Sequence, residues 1–153
     1  MNKSVCFLIL VMLVLNSCGK EDALTKSDLL TQSPWIMTAS IFEPPLQTED
    51  GSIVNWYAAM PDCIKDDIFY YYPSGVYTNS EGASRCSPSD AEIWEVGVWT
   101  FNEEETKLYK GIIDYINEYE ILKLDGNELQ LRYTFSDTLD NLYSNTETYN
   151  HPK

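Results

Sequence analysis

An all-β chain, an antiparallel barrel or sandwich of seven or eight strands, is what this sequence predicts. Short runs of β-branched and aromatic residues recur along it, turn residues separate them at nearly even spacing, and almost no stretch is helical in pattern. The composition agrees: 11 Tyr, 5 Phe and 4 Trp are residues that fit a pleated, half-buried surface.

The chain before the strands sets the compartment. Lys3 and then Val5 to Leu15, apolar without interruption, give the basic region and core of a signal peptide. A bilayer-spanning helix needs about 20 apolar residues, more than this run supplies. Leu15-Asn16-Ser17-Cys18 resembles the lipobox of bacterial lipoproteins, in which the cysteine is acylated and becomes the mature N-terminus. That resemblance implies a signal peptide over residues 1–17 and acyl chains such as palmitate on Cys18; an ordinary secretory signal cut nearby is the alternative. Two or three chains anchor stably where one does not. Gly19 to Asp22 resembles a surface-export signal of some Gram-negative bacteria, or is a solvated spacer. Residues 18–33 are expected to be lipidated cysteine and tether, with Ser27 as an N-cap candidate for one helical turn. The expected location is the outer membrane, lipid-anchored, on its periplasmic or cell-surface face.

Residues 34–153 form the expected domain. Pro34 to Phe42 reads as the first strand, with Trp35, Met37, Ala39 and Ile41 sharing one parity and Pro44-Pro45 ending it. Gln47 to Pro61 is a long connection holding an Asp50-Gly51 turn and a short helix at Trp56 to Met60. Ile68 to Tyr72, the Pro73-Ser74-Gly75 turn and Val76 to Thr78 make a hairpin bracketed by Cys63 and Cys86. Cys6 leaves with the signal peptide and Cys18 takes lipid. The bracketing pair therefore remains alone in an oxidising compartment and is expected to be one disulfide.

Glu92 to Phe101 is a long strand. Trp94, Val96, Val98 and Thr100 face one side; Ile93, Glu95, Gly97, Trp99 and Phe101 face the other, and apolar groups on both leave the register open. Gly97 marks a bulge or a sharp bend. Leu108-Tyr109 and Tyr115 to Leu124 follow, then an Asp125-Gly126-Asn127 turn. In Glu128 to Phe135, the residues Leu129, Leu131, Tyr133 and Phe135 face inward. Tyr143 to Tyr149 is polar and weakly strand-like.

Taken in order, Trp35, Cys63-x-x-Asp66-Asp67, the aromatic strand, Ser74-Gly75, Gly82-x-x-x-Cys86, Gly97-x-Trp99, Tyr119-x-Ile121 and Leu129-x-Leu131-x-Tyr133 resemble the lipocalin-like domain of small bacterial lipoproteins. The resemblance covers roughly Leu30 to Phe135. It implies an up-and-down antiparallel β-barrel of about eight strands with Cys63 bonded to Cys86, and it implies no defined catalytic residues.

Several functions are disfavoured by composition. The formal net charge of −14 makes nucleic acid and anionic membrane surfaces poor partners, because phosphate binding needs basic patches. His151 is the single histidine; near the chain end it is expected to be solvated, leaving no nucleophile–histidine pair and no His-rich metal site. Asp66-Asp67 is expected to cap the hairpin through backbone N–H groups rather than hold a cation. No catalytic residue, metal or cofactor is expected. The aromatic load points to non-covalent binding of a small amphipathic or apolar molecule, with Trp35, Tyr70, Trp94, Trp99 and Tyr133 as candidate lining residues. The alternative is an accessory lipoprotein whose barrel is packed solid and which binds an envelope protein.

Overall fold

The computed structural model describes residues 23–153, so the signal peptide and Cys18 lie outside the described residues. Helix α1 (Lys26–Thr31) leads into strand β1 (Trp35–Thr48) and strand β2 (Gly51–Asn55). Two single-turn helices follow, α2 (Trp56–Ala59) and α3 (Asp62–Lys65). The remaining strands are β3 (Ile68–Tyr71), β4 (Val76–Ser80), β5 (Ile93–Phe101), β6 (Lys107–Ile112), β7 (Tyr115–Leu124), β8 (Glu128–Ser136) and β9 (Leu142–Asn150).

All strand pairings are antiparallel. Because β1 pairs with both β3 and β9, the strands other than β2 close into an eight-stranded up-and-down barrel, the fold class expected. Closure leaves no long unpaired edge. The seam is uneven: β1 meets β9 from Ile36↔Asn150 to Glu43↔Ser144, but meets β3 only at Trp35↔Phe69 and Ile36↔Ile68. The polar segment that read weakly as a strand is thus β9, which shuts the barrel. Pro44-Pro45 does not end β1 either. The strand continues to Thr48 as one arm of a hairpin with β2, and the ladder skips from Ile41 to Leu46, so neither proline has to donate a ladder bond.

A register shift in β1 corrects the expected inward set. Met37 pairs with Tyr149 and Ala39 with Thr148, leaving Thr38 as the extra residue of a bulge. Its hydroxyl donates to Asn150 Oδ1 at 2.9 Å. Parity switches there, so Ser40 and Phe42 turn inward while Ile41 is exposed.

The cysteine-bracketed hairpin forms as expected. Gly75 takes φ +82°, the left-handed region that glycine adopts without strain. Cys63 is bonded to Cys86 with their Cα atoms 5.2 Å apart.

The segment assigned to the tether is partly domain. Thr25, rather than Ser27, caps α1: its hydroxyl accepts from Asp28 N at 3.0 Å while Asp28 accepts in return from Thr25 N. Leu30 on this helix is fully buried in the core, and its carbonyl accepts from Trp35 Nε1 at 2.9 Å. The helix also sends Lys26 Nζ to the Glu105 carbonyl at 2.5 Å, bracing the β5–β6 turn. His151 is likewise ordered rather than solvated. Its ring lies 4.1 Å from that of Trp35, and Nδ1 donates to the Pro34 carbonyl at 2.8 Å. Together these close one end of the barrel.

Candidate functional site

Going up from that closed end, the interior changes character. Leu108, Leu129, Leu131, Trp99 and Tyr71 are all buried in one cluster. One turn of the pleat above Leu108, the same inward parity of β6 carries Lys110, opposite Trp99 on β5 and Asn117 on β7. Its side chain is 8% exposed. The ammonium stands 4.9 Å from the Tyr119 ring centroid, 5.5 Å from Phe69, 5.7 Å from Tyr149 and 6.0 Å from Tyr71. Each face offers a cation–π contact. Among the described residues no carboxylate pairs with Lys110 Nζ within 4 Å, and the Tyr71 hydroxyl is its polar neighbour.

Two carboxylates complete this level. Glu95 Oε1 accepts from Tyr77 OH at 2.5 Å and Asn79 Nδ2 at 2.9 Å. Glu147 Oε2 accepts from Tyr149 OH at 2.7 Å, and its other oxygen accepts from Asn145 Nδ2 at 3.4 Å. Ser40 in turn donates to Asn145 Oδ1 at 2.9 Å. Gly97 serves this network by absence. It sits in regular register opposite Tyr77, and a Cβ there would fall 2.4 Å from the Tyr77 ring. The glycine is therefore a clearance for Tyr77; a bulge or a sharp bend was expected there, and the bulge of β5 lies three residues earlier, at Trp94.

A cavity of about 340 Å³ opens among these groups toward the β6–β7 turn, with Lys110, Glu95, Glu147, Asn79, Phe69 and Tyr119 in its walls. Asn79 Oδ1 and Tyr71 OH are buried there without partners. Burial opposes the charge on Lys110, but the phenols of Tyr149, Tyr71 and Tyr119 and the Glu147 carboxylate outweigh it and hold the ammonium well above the usual lysine range. Burial pushes the Tyr119 phenol up to about 12 and also raises Tyr77, whose hydroxyl is committed to Glu95. At neutral pH the pocket thus holds one cation and neutral phenols.

The five aromatic residues proposed as lining are not brought together. Trp35 and Trp99 face inward but are packed at the closed end, the Trp99 indole donating to the Tyr72 carbonyl at 3.0 Å. Tyr133 faces inward and stacks on Phe135 with ring centroids 5.7 Å apart. Tyr70 and Trp94 lie on the outer face and leave the candidate lining; Trp94 is 46% exposed. Trp94 is the extra residue of a β5 bulge, between the pairs Asn79↔Glu95 and Ser80↔Ile93, and stands apart from the inward Glu95, Gly97 and Trp99. The residues sequence reasoning missed are Lys110, Glu95 and Glu147. Each was visible as a charge on an inward parity, beside Leu108, Trp99 and Tyr149.

Around the rim of the open end, Asp66 accepts from Ser84 N at 2.8 Å and from Ser84 Oγ, pinning the loop below the disulfide. Gly82 lets that loop pass, since a Cβ there would meet the Asp66 carbonyl at 1.9 Å. Asp67 beside it is 5% exposed with Oδ1 unpartnered. Desolvation, then the charges of Glu81 and Asp66, push its carboxyl up to about 6. A larger hollow of about 490 Å³ spans β6 to β8, but its charges are already matched as Lys107–Glu118 and Arg132–Glu120.

No protein-family model and no curated protein matches the chain. Among solved structures the chain is similar to bovine odorant-binding protein. With its natural ligand that protein matches at 13% identity over 88% of this chain and 78% of the other, TM-score 0.45. Its complex with a selenium-containing odorant gives 14% identity, 88% and 77% coverage and TM-score 0.45. A deswapped triple mutant gives 14%, 78% and 72%, and TM-score 0.43. The closure of this barrel stands on its own β1–β9 ladder rather than on that likeness.

Proposed function

We propose that this protein is a lipid-anchored envelope lipoprotein that binds one small amphipathic molecule, non-covalently, through the open end of its barrel. The observation that carries the reading is the interior cavity itself, walled by aromatic rings and holding a buried ammonium that no carboxylate pairs within 4 Å among the described residues. A volume of about 340 Å³ is at the small end of ligand sites, which run from roughly 300 to 1,000 Å³. The charges favour the amphipathic side of the expectation over a purely apolar ligand. Binding fits better than catalysis: His151 is at the opposite end against Trp35, and the two described cysteines are joined to each other.

Native mass spectrometry of the protein from an oxidising compartment tests the cavity. A reproducible extra mass lost on denaturation is expected; a bare protein that also excludes every amphipathic probe sinks the reading. Anchoring has its own test. Replacing Cys18 by Ser is expected to move the protein from the membrane to the soluble fraction, and retention refutes the lipobox.

A second reading, docking of an envelope protein, rests on the outer face of β3 to β5. There Trp94, Val96 and Val98 on β5, and Tyr72 just past the end of β3, are all more than 40% exposed. Contiguous exposed apolar surface of this kind marks interaction sites. A photo-crosslinker at position 96 is expected to give one discrete adduct in cells if that reading holds, and none if the cavity is the whole function.

A further inference from the structure

We infer that the barrel cavity takes a small zwitterion of the α-amino-acid type, its carboxylate on Lys110 and its ammonium against Glu147 and Glu95. The inference rests on the proposed binding role of the cavity and names the ligand class.

Lys110 carries the first half. A lysine 8% exposed has lost most of its water; four rings surround its charge, and beyond the neighbouring Tyr71 hydroxyl no described polar group meets its three N–H donors. An unpaired buried charge of this kind is costly until an acceptor arrives, and the best acceptor is an anion. Nothing in the wall supplies one, since neither Glu147 nor Glu95 comes within ion-pair distance of Lys110. The gap between them is the cavity.

The walls to either side carry the second half. Glu95 on β5 and Asn79 on β4 flank the cavity on one side and Glu147 on β9 on the other, all three lining the same space, and Asn79 Oδ1 has no donor. The donors that do reach the carboxylates are phenols and amides, and each carboxylate keeps at least one free lone pair. A plain carboxylic acid would satisfy Lys110 while bringing a further acceptor-only group beside the two glutamates. A plain amine would satisfy the glutamates and repel Lys110. A molecule carrying both groups pairs each with its opposite. At about 30 Å³ per water the cavity of about 340 Å³ holds roughly 11 water volumes, space enough for an amino acid with a large side chain. The Phe69, Tyr119 and Tyr149 rings suit an apolar or aromatic side chain beside the charges.

Isothermal titration of the full protein in mild detergent, with free phenylalanine, phenethylamine and 3-phenylpropanoate as probes, decides this. The zwitterion is expected to bind at least tenfold more tightly than either single-charge analogue. Lys110→Met should weaken phenylalanine and 3-phenylpropanoate while sparing the amine. Glu147→Gln, nearly isosteric, should weaken phenylalanine and the amine while sparing the acid, and it keeps the test open should the lysine variant fail to fold. If the analogues bind as tightly as the zwitterion, or only an uncharged amphipathic probe binds, the ligand class is wrong and the binding role survives. If no probe of any class binds, both fall.

Discussion

At the closed end, Trp35, Leu30, Leu108 and Leu129 are fully buried, and the Trp35 indole and His151 Nδ1 each bond a backbone carbonyl. At the open end β6 presents Lys110 two residues beyond Leu108, and β5 and β9 present Glu95 and Glu147, around a cavity in whose wall Asn79 Oδ1 remains unpaired. Folding free energy comes from apolar burial and satisfied hydrogen bonds; the second arrangement forgoes much of both. One end therefore holds the barrel together, and the other keeps unsatisfied groups ready for a molecule that completes them.

The sharpest way to break that contrast is at the closed end. Trp35→Ala removes a fully buried ring together with its hydrogen bond and its contact with His151. A loss of about 3–5 kcal/mol is expected in urea unfolding; a loss below about 1 kcal/mol would show that this end is not what carries stability. Next in size is the clamp on the rim. Replacing Cys63 and Cys86 by Ser opens a loop spanning a sequence separation of 23, for which about 3 kcal/mol is expected on chain-entropy grounds. The variant should still close its barrel, with unchanged far-ultraviolet circular dichroism, because the β1–β9 ladder does not involve that loop.

Asp67→Asn is the smallest and the most specific. The folded carboxyl sits at about 6 against an unfolded value near 3.9. The native state therefore binds the proton more tightly, and stability is full below about pH 4 and declines as pH rises through about 6. Asparagine should flatten that slope and add on the order of 1 kcal/mol at pH 7.5, after screening at the rim is allowed for. Thermal melts of both proteins from pH 4 to 7.5 check it; parallel curves would mean that Asp67 is solvated after all.

The closed end was the more legible of the two from sequence. Trp35 in the first strand, the alternation through Leu129 and Leu131, and the Asp125-Gly126-Asn127 turn are local patterns, and local patterns survive folding. Where Thr38 inserts as a bulge, parity fails and Ala39 and Ile41 exchange faces with Ser40 and Phe42, because a one-residue slip turns every later side chain over. The open end was illegible for a related reason. Ring size drew Trp94 and Tyr70 into the candidate lining, yet pleat direction places them outside, while the charges that do enter belong to strands far apart in the chain. His151 could not be placed by position alone, since what orders it is the ring of Trp35, 116 residues earlier.

By itself, the sequence determined most of the strands and turns, the cysteine pair and the all-β class, because each follows from residue chemistry within a few positions of the chain; the β1 extension and β2 escaped it. Only the tertiary structure decided that β9 closes on β1, that α1 belongs to the fold, and that Lys110 faces Glu147 across an open chamber. Those outcomes depend on register and closure, which couple residues more than a hundred positions apart and which no local pattern encodes.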